Sequence, residues 1–181
     1  MRAASTRTTI RNRSHKLLFS PQVKQASWNY CEPPCLHDSS LSLSSHSVLA
    51  CDVGDAALGY ELFQKACLID LDNANPHSSD AGIRAASFGG LWQCVVQGFG
   101  GLRMVGGRLR VSPNLPPAWK KLCYTLMWRG QKLSVTAQSK LVKIENLTRK
   151  EPVTVEVWRT TYTFEGELLC PDRRGGSRPD C

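Results

Sequence analysis

The chain has 181 residues, a formal net charge of +8 and eight cysteines, with 41% hydrophobic residues. Its length allows one domain or two small ones, and its positive charge sits at the ends: residues 1–24 carry Arg2, Arg7, Arg11, Arg13, Lys16 and Lys24 with no acid. A near-neutral interior without interleaved aromatic and basic residues argues against a nucleic-acid groove, and no apolar run approaches the roughly 20 residues of a membrane span.

Residues 1–20 are rich in Arg, Ser and Thr and lack acids. That composition suits a transit-like segment or a non-native leader from a truncated or misassigned frame, and in either case predicts disorder. A helix then runs toward Tyr30-Cys31-Glu32-Pro33, where Pro33 and Pro34 stop it. Asp38 or Ser39 is placed to cap a second helix whose inner face would carry Leu41, Val48 and Leu49. Asp55 opens a third, with Leu58, Leu62, Ala66 and Ile69 in a stripe and Glu61 and Lys65 as an i, i+4 pair. Asp70 and Asp72, at i and i+2, do not face each other and read as loop and cap residues.

From Asp80 to Gly101 small and apolar residues recur at helical spacing through Ile83, Ala86, Ser87, Gly90, Leu91, Cys94, Val95 and Gly98. Asp80 is a candidate N-cap, and Gly98-Phe99-Gly100-Gly101 supplies the stop. The period then changes to two. Leu109 and Val111 alternate with Arg108, Arg110 and Ser112, and Leu122, Tyr124, Leu126 and Trp128 lead through Arg129-Gly130-Gln131 into Leu133, Val135 and Ala137, a hairpin with one face buried. Val142 and Ile144, then Val153, Val155 and Val157, then Tyr162 and Phe164 give further strands around a charged turn at Thr148 to Pro152. Five or six antiparallel strands are expected in all. The organisation is therefore α + β, with helices over 21–101, strands over 102–170 and an aperiodic, disordered tail over 171–181.

Several motifs carry a family likeness. Gly89-Gly90-Leu91-Trp92, Gly98-Phe99-Gly100-Gly101 and Pro113-Asn114-Leu115-Pro116-Pro117-Ala118-Trp119 follow one another in a fixed order, preceded by Tyr30-Cys31-Glu32-Pro33 and His37-Asp38-Ser39-Ser40-Leu41-Ser42. Over roughly residues 23–165 the chain resembles the end of glycoside hydrolase family 65, the maltose, trehalose and kojibiose phosphorylases. There the last helices of an (α/α)6 barrel meet a small antiparallel β-sandwich. Twelve helices of about eleven residues, with their connections, would approach the whole length of the chain, so the resemblance implies a C-terminal fragment of a larger protein.

The resemblance also implies a chemistry. In an inverting phosphorolysis a glutamic acid protonates the leaving glycosidic oxygen while phosphate attacks the anomeric carbon from the opposite face. The family's general acid lies upstream of the matched region, so no residue here is assigned a catalytic role, Glu32 included, and the fragment would be inactive alone. What these positions imply is the phosphate and substrate side of the pocket: His37, Ser39, Ser40, Arg84, Ser87, Gly89 and Gly90, where hydroxyls and free backbone N–H groups at helix starts can hold an anion. Arg84 departs from the family pattern, which has histidine after Gly-Ile; arginine binds phosphate bidentately but does not titrate near neutrality.

On this reading phosphate is a co-substrate and no cofactor is needed. The parent's partners would be an α-linked glucose disaccharide and phosphate, with no nucleic acid or membrane, and a homodimer is one expected assembly. The cysteines show no C-x-x-C spacing and no histidine pair completes a zinc site, so no metal is expected. Cys67, Cys94 and Cys123 fall on predicted inner faces, which suits a reducing cytoplasm. Two other classes stay open. One is a hydrolase of the same superfamily; the other is a non-catalytic sugar-binding or interaction module in which Trp119, Trp128 or Trp158 stacks on the ligand.

Overall fold

A computed structural model describes residues 20–37, 41–69 and 85–172. The chain divides into two compact units, one up to Leu36 and one from His37 onward. The first contains α1 (Pro21–Cys31), whose N-cap Ser20 accepts a hydrogen bond from the Val23 N–H at 3.2 Å and which has Pro21 in its first turn. It ends before Pro33, as the missing proline N–H requires.

The second unit begins with α2 (Ser42–Val53), α3 (Ala56–Leu68) and α4 (Ala85–Gln93). Asp55 caps α3, its Oδ1 accepting from the Leu58 N–H at 2.9 Å, and Leu62, Ala66 and Ile69 are buried as their spacing predicts. Asp38, Ser39, Asp70, Asp72 and Asp80, to which capping or loop roles were assigned, lie outside the described residues. The inner face of α2 differs from expectation. Leu41 and Leu49 are exposed, and Leu43, Ser44, Ser47, Ala50 and Cys51 are buried instead. The reason is close approach: the neighbouring backbone comes in at Gly59, where an added Cβ would lie 2.9 Å from Cys51 Sγ and 3.1 Å from the Ser47 carbonyl oxygen. Only small side chains on α2 leave that space.

Helix α4 does not end at Gln93 but widens into a π-helical segment, Cys94–Phe99. The extra residue per turn rotates the inward face, so that Val96 and Phe99 are buried together with Cys94 and Gly98. The segment stops at the expected glycines. Gly101 has φ +62 and lies directly against the Ser112 carbonyl, a position that excludes any side chain.

Eight strands follow: β1 (Leu102–Val105), β2 (Arg108–Val111), β3 (Leu122–Trp128), β4 (Gln131–Gln138), β5 (Leu141–Asn146), β6 (Val153–Val157), β7 (Thr160–Phe164) and β8 (Glu167–Pro171). They form two four-stranded sheets, in the orders β1-β2-β6-β7 and β3-β4-β5-β8. Leu109 and Val111, Leu133 and Val135, Val142 and Ile144, and Val153, Val155 and Val157 fill the core cluster that the sandwich encloses. Two-residue turns with positive φ at both positions close three hairpins: Gly106-Gly107, Arg129-Gly130 and Trp158-Arg159.

Three features depart from the sequence-based expectation. The described residues form eight strands rather than five or six; β1 and β8 are short, lie at sheet edges, and carry exposed Met104 and Leu169. β2 and β6 pair in parallel, Leu109 opposite Val155, because the chain leaves β2 for the other sheet and returns from outside. Cys123 is exposed on β3, 3.5 Å from Thr136 Oγ1, while Cys51, Cys94 and Cys170 are buried and Cys67 is half-buried.

Helices and sheets of this unit meet at Phe99. Its ring is fully buried and lies edge-on to Trp119 at 4.8 Å and to Phe63 at 5.7 Å, with Tyr60 at 6.3 Å. Beside this cluster the Arg103 guanidinium pairs with Asp52 at 2.7 Å and donates to the carbonyls of Gln97 and Leu102. Asn114 N–H donates to the Phe99 carbonyl at 2.9 Å, and the Tyr124 hydroxyl donates to that of Gly100 at 3.3 Å, where burial raises the phenol pKa above its ordinary value. Among the described residues no helix is long and apolar enough to cross a membrane.

Two outcomes follow. Phe99→Ala should cost about 3–5 kcal/mol in urea unfolding, the range for deleting a fully buried aromatic ring; a loss below about 1 kcal/mol would mean that the cluster is not a structural junction. Burial, followed by the neighbouring Cys94 and Asp52, pushes the Cys51 thiol from 9.0 up to about 12. A folded-state value above the unfolded one gives a contribution that is complete below pH 9.0 and is lost as pH rises toward about 12. Unfolding titrations across that window should show falling stability, with a shallower fall in Cys51→Ala.

Candidate functional site

The positions singled out in the sequence cluster around the starts of α2 and α4. His37 precedes α2 with φ 53, its Nδ1 2.9 Å from Ser42 Oγ, and its ring stands edge-on to His46 at 4.6 Å. It therefore organises the entry into α2 from a left-handed backbone position. Ser39, Ser40 and Arg84 lie outside the described residues.

On α4, Ser87 and Gly90 share the inward face and Gly89 faces outward into open space. Gly90 is a contact glycine: an added Cβ would collide with Ser44 Oγ and lie 2.8 Å from Ser44 Cβ. Its lack of a side chain lets α4 pack on α2, so packing alone accounts for glycine there. Ser44 Oγ donates to the Leu41 carbonyl at 3.0 Å, Cys94 Sγ donates to the Ser44 carbonyl at 3.3 Å, and Ser47 Oγ donates to the Gly59 carbonyl at 2.7 Å. Each of these buried polar groups is satisfied within the helices.

Ser87 is the exception. It is 5% exposed, and its Oγ has no hydrogen-bond partner among the described residues. A buried hydroxyl left without a partner costs roughly 1–3 kcal/mol, which makes it the one polar atom of this helical face with unused bonding capacity. Asp52 pairs with Arg103, and Asp55 caps α3. Among the described residues this helical face thus offers one buried hydroxyl without a hydrogen-bond partner. The roles of Ser44 and Ser47 were missed in the sequence, although their three-residue spacing ahead of Ala50 and Cys51 marks a small-residue face.

Comparison with known proteins agrees with this architecture. The central catalytic domain of glycosyl hydrolase family 65 matches residues 10–93, and the C-terminal domain of the same family matches residues 102–164. A kojibiose phosphorylase of Halothermothrix orenii is 41% identical over 129 residues, 71% of this chain and 16% of that protein. An alpha,alpha-trehalose phosphorylase of Thermoanaerobacter brockii is 34% identical over 83% of this chain and 18% of its own length, and a maltose phosphorylase of Bacillus subtilis is 31% identical over 82% and 19%. A solved structure described as "Putative kojibiose phosphorylase from human microbiome" superposes with a TM-score of 0.77 at 29% identity, over 87% of this chain and 21% of that one. The chain thus spans about a fifth of the length of the relatives it matches. Two domain models of one family match it in succession, and the helical segment, its glycine stop and the sandwich follow in the same order: the chain belongs to glycosyl hydrolase family 65.

Proposed function

We propose that this chain supplies the phosphate side of the active-site pocket of an inverting disaccharide phosphorylase acting on α-glucosides. Residues 21–101 are then the last part of an (α/α)6 barrel, and residues 102–170 the β-sandwich that braces it. The observation that carries the reading is the buried, unpartnered Ser87 hydroxyl in a stretch aligned with phosphorylases of several α-glucosides. Phosphate takes its hydrogen bonds from Ser87, from the Ser39 and Ser40 hydroxyls and from the Arg84 guanidinium, whereas the N–H groups at Gly89 and Gly90 belong to the helix's own ladder. His37 contributes by fixing the start of α2.

Held there, phosphate has one oxygen directed at the anomeric carbon. The C–O bond to phosphate forms as the glycosidic bond breaks, and the leaving oxygen takes a proton from an acid outside the residues assigned here. Binding phosphate through its other oxygens positions it in place of the water that a hydrolase would activate. No cofactor enters this scheme, and we place the protein in the cytoplasm, as its buried free thiols Cys51, Cys94 and Cys170 suggest.

In the catalytically competent protein that carries this segment, Ser87→Ala and Arg84→Ala should each raise the KM for phosphate about ten- to a hundredfold, the loss of one charge-assisted hydrogen bond. The KM for disaccharide should stay unchanged, and Arg84→Lys should recover part of the loss. Unchanged phosphate KM together with lower thermal stability would reduce Ser87 to a packing residue. Release of glucose without any need for phosphate would make the protein a hydrolase.

A further inference from the structure

A second set of polar groups with unused bonding capacity lies at the far end of the sandwich. The β1–β2 turn, the β3–β4 turn and the segment leading into β6 come together there around a groove of about 370 Å³, within the range of roughly 300–1,000 Å³ that small-molecule sites occupy. Its wall is built around Gln131, 7% exposed, whose Oε1 accepts from Asn146 Nδ2 at 2.7 Å and from the Glu151 N–H at 3.3 Å. Asn146 in turn accepts from the Thr148 and Arg149 N–H groups at 3.2 and 3.0 Å, so the loop into β6 is tied down by buried amides. With its oxygen doubly used inside, Gln131 has its Nε2 without a partner among the described residues, in the wall of the groove.

Four more side chains line the same groove. The Arg129 guanidinium sits 5.4 Å from the centre of the Trp128 ring and is anchored by one hydrogen bond to the Gly107 carbonyl at 2.9 Å. Arg108 and the Glu151 carboxylate, both exposed, have no side-chain partner among the described residues. Trp128 is half-buried, its inner part packed against the sandwich core.

We infer that this groove is a saccharide-binding site, separate from the proposed helical phosphate site, that takes the vicinal hydroxyls of an oligosaccharide. Donors alone would suit an anion, but here a carboxylate stands among the donors and would repel one. Vicinal hydroxyls, each able to donate and accept, match the alternation of Arg108, Glu151 and the Gln131 amide. The amide network holds the polar groups before ligand arrives, which limits the ordering cost of binding. The inference does not depend on the phosphate reading, since none of these residues belongs to the helices.

The test uses the 181-residue chain, with maltotriose and maltoheptaose as probes, followed by saturation-transfer NMR and tryptophan fluorescence. Saturable binding is expected. Glu151→Gln and Arg108→Ala, both on exposed side chains, should each weaken it about three- to tenfold, the effect of removing one hydrogen bond, with an unchanged melting temperature. Inorganic phosphate should not compete. Absence of saturable binding, displacement by phosphate, or parental affinity in Glu151→Gln and Arg108→Ala together would each overturn the assignment.

Discussion

The second unit depends on a single buried ring. Phe99 is the last residue of the π-helical segment and lies edge-on to Trp119, in the loop leading into β3, at 4.8 Å. Edge-on aromatic contacts fix angle as well as distance, so Phe99, Phe63, Tyr60 and Trp119 set how the helices sit on the strands. The surrounding bonds follow from that placement. Gly101 must take a left-handed turn against Ser112, Arg103 then reaches Asp52, and the Asn114 N–H finds the Phe99 carbonyl. The π-helical winding is what delivers Phe99 inward; continued α-helical winding would carry it to a different face.

Much of this was legible in the sequence where one rule dominated. A period of two with β-branched residues fixed the inner faces of β4, β5 and β6, because a slip of one residue would expose the whole set. Asp55 capped its helix and the glycine run ended another. The misses share a physical cause: the deciding partner was remote. Leu49 looked internal on α2 by hydropathy, but the face was chosen by how closely Gly59 and Gly90 approach, and Ser44 and Ser47 fit there. β8 pairs with β5 and β2 with β6, neither a local contact, and Pro171 stands at the sheet edge where its missing N–H costs least. The π-helical insertion leaves no trace in a helical period.

The candidate site was legible in part. Ser87 was singled out through the family resemblance of its motif, and its hydroxyl is buried without a hydrogen-bond partner among the described residues. Gly90 was chosen with it, and close packing against Ser44 accounts for the glycine without any ligand. The groove at the turn end of the sandwich could not be read from spacing, because Arg108, Gln131 and Glu151 come from three separate connections. Trp119, one of three tryptophans considered as sugar platforms, is taken up by the Phe99 cluster, whereas Trp128 borders the groove.

Among the described residues the helical face holds a buried hydroxyl without a hydrogen-bond partner, and the sandwich groove a tied amide network with open donors and an acceptor. The central claim, an oxyanion site at Ser87, is tested most directly by the anomalous difference map of crystals of the competent protein soaked in selenate, a tetrahedral stand-in for phosphate. The account predicts a selenium peak within hydrogen-bonding distance of Ser87 Oγ, absent in Ser87→Ala crystals. A well-occupied peak elsewhere, with Ser87 Oγ bonded to another protein group, would contradict it.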